Sequence, residues 1–219
     1  MQRKEWPNFN KNLISKISKI INSGKINYTA GPYGEKFEKS FSQFIGNKHS
    51  IAICNGTAAL EVAIKSLRLE KNSEIIVPAR SFFSSASCIV NTGHLPIFAD
   101  VDSLTQNITI DEIKKKLTKK TKAIICVHLA GLPCDMIPIK KLAKQKKIKI
   151  IEDCSQAHGA SINNKHVGSF GDVNTWSFCT DKIISTLGEG GMISTNNKNI
   201  YEYCKKYINH RTAKQKKYS

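Results

Sequence analysis

The sequence predicts an α/β fold, a mainly parallel sheet flanked by helices on both faces. Two observations carry this. Short Ile/Val runs recur along the chain, and helical patterns separate them at intervals of roughly 20–30 residues. The runs are apolar throughout rather than alternating, as expected of strands covered by helices on both faces. No internal repeat or low-complexity linker breaks the alternation.

The elements follow in order. Residues 1–30 form a polar, basic lead-in with a weakly amphipathic helix around 10–22. In "GEKFEKSFSQFIG" Phe37, Phe41 and Phe44 are spaced by four and three, which puts them on one helix face. "SIAIC" (50–54) reads as a short buried strand. "TAALEVAIKSLRL" (57–69) reads as a helix with Leu60, Ile64 and Leu67 on one side. "EIIVP" (74–78) is a strand ending at proline, and "SFFSSASCIVNTG" (81–93) a helix closed by Gly93. "LPIFADV" is a strand, and "TIDEIKKKL" a helix opening on Thr109 with acids in its first turn. "KAIICVHL" (122–129) is a strand, "DMIPIKKLAKQKK" a helix and "IKIIED" (148–153) a strand. The chain ends in a helix running into a lysine-rich tail. This order divides it into a lead-in (1–30), a large domain (31–205) and a basic tail or truncated start of a C-terminal region (206–219).

Composition narrows the function. With 219 residues, 40% hydrophobic and 23% charged, the chain can bury a core of its own. No apolar run approaches the roughly 20 residues of a membrane span, and the N-terminus lacks a secretory h-region. A cytoplasmic location, with no membrane partner, is the expectation. Seven cysteines, an odd number with no C-x-x-C pair, suggest buried reduced thiols rather than a disulfide framework or a zinc site. The net charge of +17 suggests nucleic acid, but only four of the 34 basic residues are arginine. Lysine accompanied by Ile and Asn points to A+T-rich codon drift rather than a phosphate or base reader, so no nucleic-acid partner is expected.

Ligands of parallel sheets gather at the carboxyl ends of the strands, and four such loops are distinctive. In "CNGTAAL" (54–60), Gly56 permits a tight turn and Thr57 can cap the helix. The amides of Thr57 and Ala58 then offer a site for one phosphate. In "PARSFFSSA" (78–86), Phe82, ahead of Phe83, can lie flat on a planar ligand. In "IIEDCSQAHGA", Glu152 and Asp153 end an apolar strand, where carboxylates need partners. A carboxylate there can face a protonated ring nitrogen, with Gln156 and His158 in range of the same pocket. A metal reading of Asp153, Cys154 and His158 lacks a second ligand cluster. In "NTWSFCTDKIISTLGEGGM", Ser177 and Lys182 lie five residues apart. A partly desolvated lysine can act as a Schiff-base nucleophile, and Ser177 can add a hydroxyl to the phosphate. A phosphate cup, a stacking ring, an acid and a lysine together describe a pyridoxal 5'-phosphate site.

On "NGTAAL", "VHLAGLPCDM", "IIEDCSQAHGA" and "GSFGDVNTWSFCTDKIISTLGEGGM", the chain resembles the DegT/StrS family of nucleotide-sugar aminotransferases over roughly residues 28–205. That resemblance implies the large domain of a fold-type I pyridoxal-phosphate enzyme. Lys182 would bind the cofactor aldehyde and shuttle the proton, and Asp153 would pair with the ring nitrogen. Thr57, Ala58 and Ser177 would hold the phosphate on the Gly56 turn, Phe82 would stack on the ring, and Gln156 would contact the ring oxygen. The reaction implied is amino transfer, commonly from L-glutamate, to a keto group of a nucleotide-linked sugar for surface-glycan assembly. Dehydratase members carry histidine at the place of Lys182, which favours transamination here. Family members are longer, with a small C-terminal domain and a site at a dimer interface. The expectation is therefore a homodimer, a chain pairing with a separately encoded C-terminal half, or an incompetent fragment with weak cofactor binding.

Overall fold

A computed structural model describes residues 6–28 and 30–209. Of the basic tail set at 206–219, residues 210–219 lie outside them.

In the described residues, the chain runs through α1 (Lys11–Asn22), α2 (Tyr33–Ile45), β1 (His49–Ile53), α3 (Gly56–Ser66), β2 (Glu74–Pro78), α4 (Ser84–Asn91) and β3 (Leu95–Ala99). It continues through α5 (Ile110–Lys116), β4 (Thr121–Val127), α6 (Met136–Lys146), β5 (Lys149–Asp153) and a small hairpin of β6 (Ser161–Ile162) and β7 (Lys165–His166). The last elements are β8 (Val173–Ser177), β9 (Gly191–Thr195) and α7 (Lys198–Asn209). Helix α7 passes through 205–206, where the sequence reading set a domain boundary.

Seven strands form one sheet in the order β1-β9-β8-β5-β4-β2-β3. Neighbours from β8 to β3 are parallel, and only β9 runs against the rest, antiparallel to both β1 and β8. Side-chain alternation splits the core in two, as period 2 requires. Ile75, Val77, Ile125 and Ile151 face α3, α4 and α7. Ile76, Ile124, Cys126 and Ile150 face α5 and α6. A third cluster seats Phe41 of α2 on Trp176 and Phe178.

The helices start where the local chemistry asks. Thr109 caps α5 by accepting from the Glu112 amide, as its sequence suggested. The predicted helix 81–93 begins only at Ser84, because Ser81 and Phe82 remain in the loop. Of the three aligned phenylalanines Phe41 is buried and Phe37 packs beside it. Phe44 stays half-exposed, with its ring 4.8 Å from His166.

Strands β8 and β9 and the β6–β7 hairpin were not predicted. The hairpin turn is Asn163–Asn164, both with positive φ (49° and 61°), a backbone that asparagine tolerates well.

Among the described residues, no helix is long and apolar enough to cross a membrane.

Candidate functional site

The carboxyl ends of β1, β2, β4, β5 and β8 open onto one cavity of about 530 Å³, within the range of small-molecule sites. Because β9 is reversed, its first residue, Gly191, pairs with both Ile53 and Ser177 at the same end. Seven of the residues singled out from the sequence line this cavity: Gly56, Thr57, Phe82, Asp153, Gln156, Ser177 and Lys182.

The turn after β1 is built by close approach. A Cβ on Gly56 would lie 2.8 Å from the Ser177 Cβ, and one on Gly191 would lie 2.5 Å from the Asn55 carbonyl carbon. Two glycines thus let the turn sit between β8 and β9. The helix cap is Asn55 rather than Thr57: the Asn55 side chain accepts from the Ala58 amide at 2.8 Å. Ala58 consequently spends its N–H on the cap and is not among the cavity residues. Thr57 keeps its side chain at the cavity, while its carbonyl accepts from the Cys88 thiol behind it.

Asp153 is buried at the end of β5. Its carboxylate accepts from the Ser85 hydroxyl (3.1 Å) and the Ser155 amide (3.2 Å), one contact from helix α4 and one from the loop after β5, which together fix its orientation. Glu152, one residue earlier, points to the other side of the sheet. It is fully buried and accepts four hydrogen bonds: from the amides of Gly168 (2.8 Å), Phe170 (2.7 Å) and Gly171 (2.6 Å), and from His128 Nε2 (3.0 Å). His128 Nδ1 accepts from the Cys134 amide, so the ring proton sits on Nε2 and the imidazole is neutral. Glu152 is therefore the clasp of the 168–171 loop.

The His/Cys/carboxylate group close enough for a metal among the described residues is His128, Glu152 and Cys154, not Asp153, Cys154 and His158. Its donors are already engaged: His128 on Glu152, and Glu152 on four donors. Burial pushes the Cys154 thiol well above its usual range, leaving it protonated. The seven cysteines are all free, five of them buried, and burial also lifts Cys88 and Cys134 to about 12.

Gln156 reaches the cavity, and its Oε1 accepts from the Ala130 amide at 2.8 Å. His158 does not. Its ring lies buried against Trp176 and Phe178, with centroids at 5.4 and 5.5 Å. Burial lowers it to about 4, partly offset by the Ser177 backbone and reinforced by the charge on Lys182.

Lys182 stands on the segment between β8 and β9, with its amine 3.0 Å from Asp181. That contact holds the Asp181 carboxyl below its usual range. Glu189 accepts from the Cys179 thiol at 3.2 Å and raises that thiol. Phe82 lines the cavity while largely exposed. Phe83 is more exposed and does not line it.

Sequence reasoning missed Asn55, Asp181, Cys179 and Glu189 at this cavity. Asn55 was findable, since asparagine before Gly-Thr is a strong cap signal. Asp181 was findable as the carboxylate next to the lysine. Cys179 and Glu189 come together only because β8 and β9 pair.

Fold and cavity define an α/β domain with a polar ligand cleft at the carboxyl ends of its strands. A model of the DegT/DnrJ/EryC1/StrS aminotransferase family matches residues 7–219, and the chain belongs to that family. GDP-perosamine synthase of Escherichia coli O157:H7 is 44% identical over 174 residues, which is 80% of this chain and 48% of the relative. The aminotransferase structure from Psychrobacter cryohalolentis superposes with a TM-score of 0.93 at 44% identity, covering 94% of this chain and 52% of that one. The structure of ntda from Bacillus subtilis, with bound cofactor PMP, matches at a TM-score of 0.85 and 29% identity, covering 94% and 49% of the two chains. The chain spans about half the length of the curated relatives it matches.

Proposed function

We propose that this chain is the cofactor-binding part of a pyridoxal-phosphate-dependent aminotransferase. It acts on a keto group of a nucleotide-linked sugar, with L-glutamate as amino donor. One observation carries the reading: a single cavity gathers an amine (Lys182), a buried, doubly hydrogen-bonded carboxylate (Asp153), two hydroxyls (Thr57, Ser177) and an aromatic ring (Phe82). This donor set fits the cofactor group by group. The relatives' names, GDP-perosamine synthase and dTDP-3-amino-3,6-dideoxy-alpha-D-galactopyranose transaminase, support the substrate class.

When bound, pyridoxal phosphate supplies an aldehyde that condenses with amines and a ring that takes up electron density from the bond being broken. The chain's residues supply the rest. Thr57 and Ser177 hold the phosphate at the N-terminus of α3, and Gly56 leaves room for it. Asp153, oriented by Ser85 and Ser155, keeps the ring nitrogen protonated. Phe82 offers a flat apolar face, and Gln156, fixed by the Ala130 amide, contacts the ring oxygen. Lys182, whose amine lies in the same cavity, would hold the aldehyde end of the cofactor and would serve as the base that takes up and returns a proton there.

The test is a titration of the protein with pyridoxal phosphate. The expected result is a visible absorption band that is lost in Lys182→Ala and weakened in Asp153→Asn. A protein that stays colourless at saturating cofactor overturns the reading. Amino transfer is assayed with the chain alone and with a C-terminal half supplied in trans. If neither turns over while the band forms, the chain keeps cofactor binding without catalysis.

A further inference from the structure

The segment carrying Lys182 is tied mostly to itself. The Lys182 amide donates to the Cys179 carbonyl and the Thr186 amide to the Phe178 carbonyl, both at 3.0 Å. Thr180 bonds Gly188, and the Thr186 hydroxyl bonds Phe178. Ile183, Ile184 and Leu187 all project outward. Among the described residues, one hydrogen bond from 180–188 reaches a distant part of the chain: the Trp6 indole N–H donates to the Lys182 carbonyl at 3.1 Å.

Trp6 lies just ahead of helix α1. Helix α1, a few residues later, buries no side chain. At the far end of the lead-in, Tyr28 donates to Glu38, which also accepts from Lys205 and the Ala52 amide. Among the described residues, the lead-in is thus fastened to the body of the domain through Tyr28 and to the backbone of the lysine that the proposed chemistry requires through Trp6. An indole bonded to the surface of a finished domain would have many acceptors to choose from. This one is spent on residue 182 itself.

We propose that Trp6 is a positioning residue for Lys182, its indole N–H setting where the lysine backbone stands at the cavity. The inference rests on the cofactor reading above, and its test separates the two. Trp6→Phe keeps an aromatic ring, though a smaller one, and removes the donor. In cofactor-free protein, hydrogen exchange at the Lys182 and Thr186 amides is expected to speed up about five-fold, the worth of one ordinary hydrogen bond, while the thermal midpoint stays put.

With pyridoxal phosphate, Trp6→Phe is expected to weaken binding by a similar factor when Lys182 is present, and to have no effect in the Lys182→Ala background. Unchanged exchange at 182 and 186 overturns the proposal whether or not the cofactor binds. An equal loss of affinity in both backgrounds also overturns it, since Trp6 would then act through the fold and not through Lys182. If wild type fails to bind pyridoxal phosphate, the cofactor reading falls, and the exchange measurement still decides whether Trp6 positions the segment.

Discussion

Gly56 is decided by the 2.8 Å that would separate an added Cβ from the Ser177 Cβ. Real carbon atoms do not approach that closely, so Gly56→Ala must push β8 away from the turn. The expected cost is about 1–3 kcal/mol in chemical denaturation. Ser177→Gly in the same chain should recover part of it by removing the opposing carbon. His158 makes a second prediction at this scale. Its pKa is lowered to about 4 by burial, whereas in the unfolded chain it titrates near the ordinary 6.5. The unfolded state therefore binds the extra proton first. The neutral ring's stability contribution is complete above about pH 6.5, and is lost as pH falls towards 4, with a total on the order of 3 kcal/mol. Thermal midpoints across that window should fall more steeply in wild type than in His158→Phe.

Strand β5 ends in two carboxylates with opposite tasks. Period 2 sends Asp153 to the cavity and Glu152 to the loop at 168–171, where three amides and one imidazole converge on it. Glu152→Gln replaces one acceptor oxygen by an N–H group that would face donors. The expected loss is about 2–4 kcal/mol, read as a lowered denaturation midpoint, with no change of cavity residues. A cost below 0.5 kcal/mol would show that the clasp is dispensable. Strand β8 explains why part of the sheet was illegible. Asn174, Thr175 and Ser177 break the apolar run, yet all are buried. Asn174 donates to the Ser194 carbonyl, and the Thr175 hydroxyl donates to the Glu152 carbonyl. A strand with polar core residues looks like a loop until its hydrogen-bonding neighbours are known.

Across the whole molecule, Glu38 joins parts far apart in sequence: Tyr28, the end of β1 through Ala52, and Lys205 in α7. Burial alone would lower Lys205, but its bonds to Tyr28 and Glu38 outweigh this and lift it to about 12. The folded state thus holds the proton longer than the unfolded chain does. The cluster's contribution is complete below about pH 10.5 and is lost as pH rises through about 12. The difference in thermal midpoint between wild type and Lys205→Met should accordingly shrink in that alkaline window and stay constant from neutral pH to about 10.

Sequence by itself determined the alternation of apolar strands and amphipathic helices, because period and capping are local properties that each segment carries within itself. It also placed Lys182, Asp153 and the Gly56 turn at strand ends, since loops after parallel strands are marked by glycine, caps and charge. Tertiary structure decided two things. It turned Asp153 to the cavity, as the resemblance implied, and Glu152 to the 168–171 loop, and it packed His158 against Trp176 and Phe178 instead of the site. Each depends on partners that other elements bring up, Ser85 and His128 for the carboxylates and strand β8 for the imidazole, and such partners leave no mark on the local pattern.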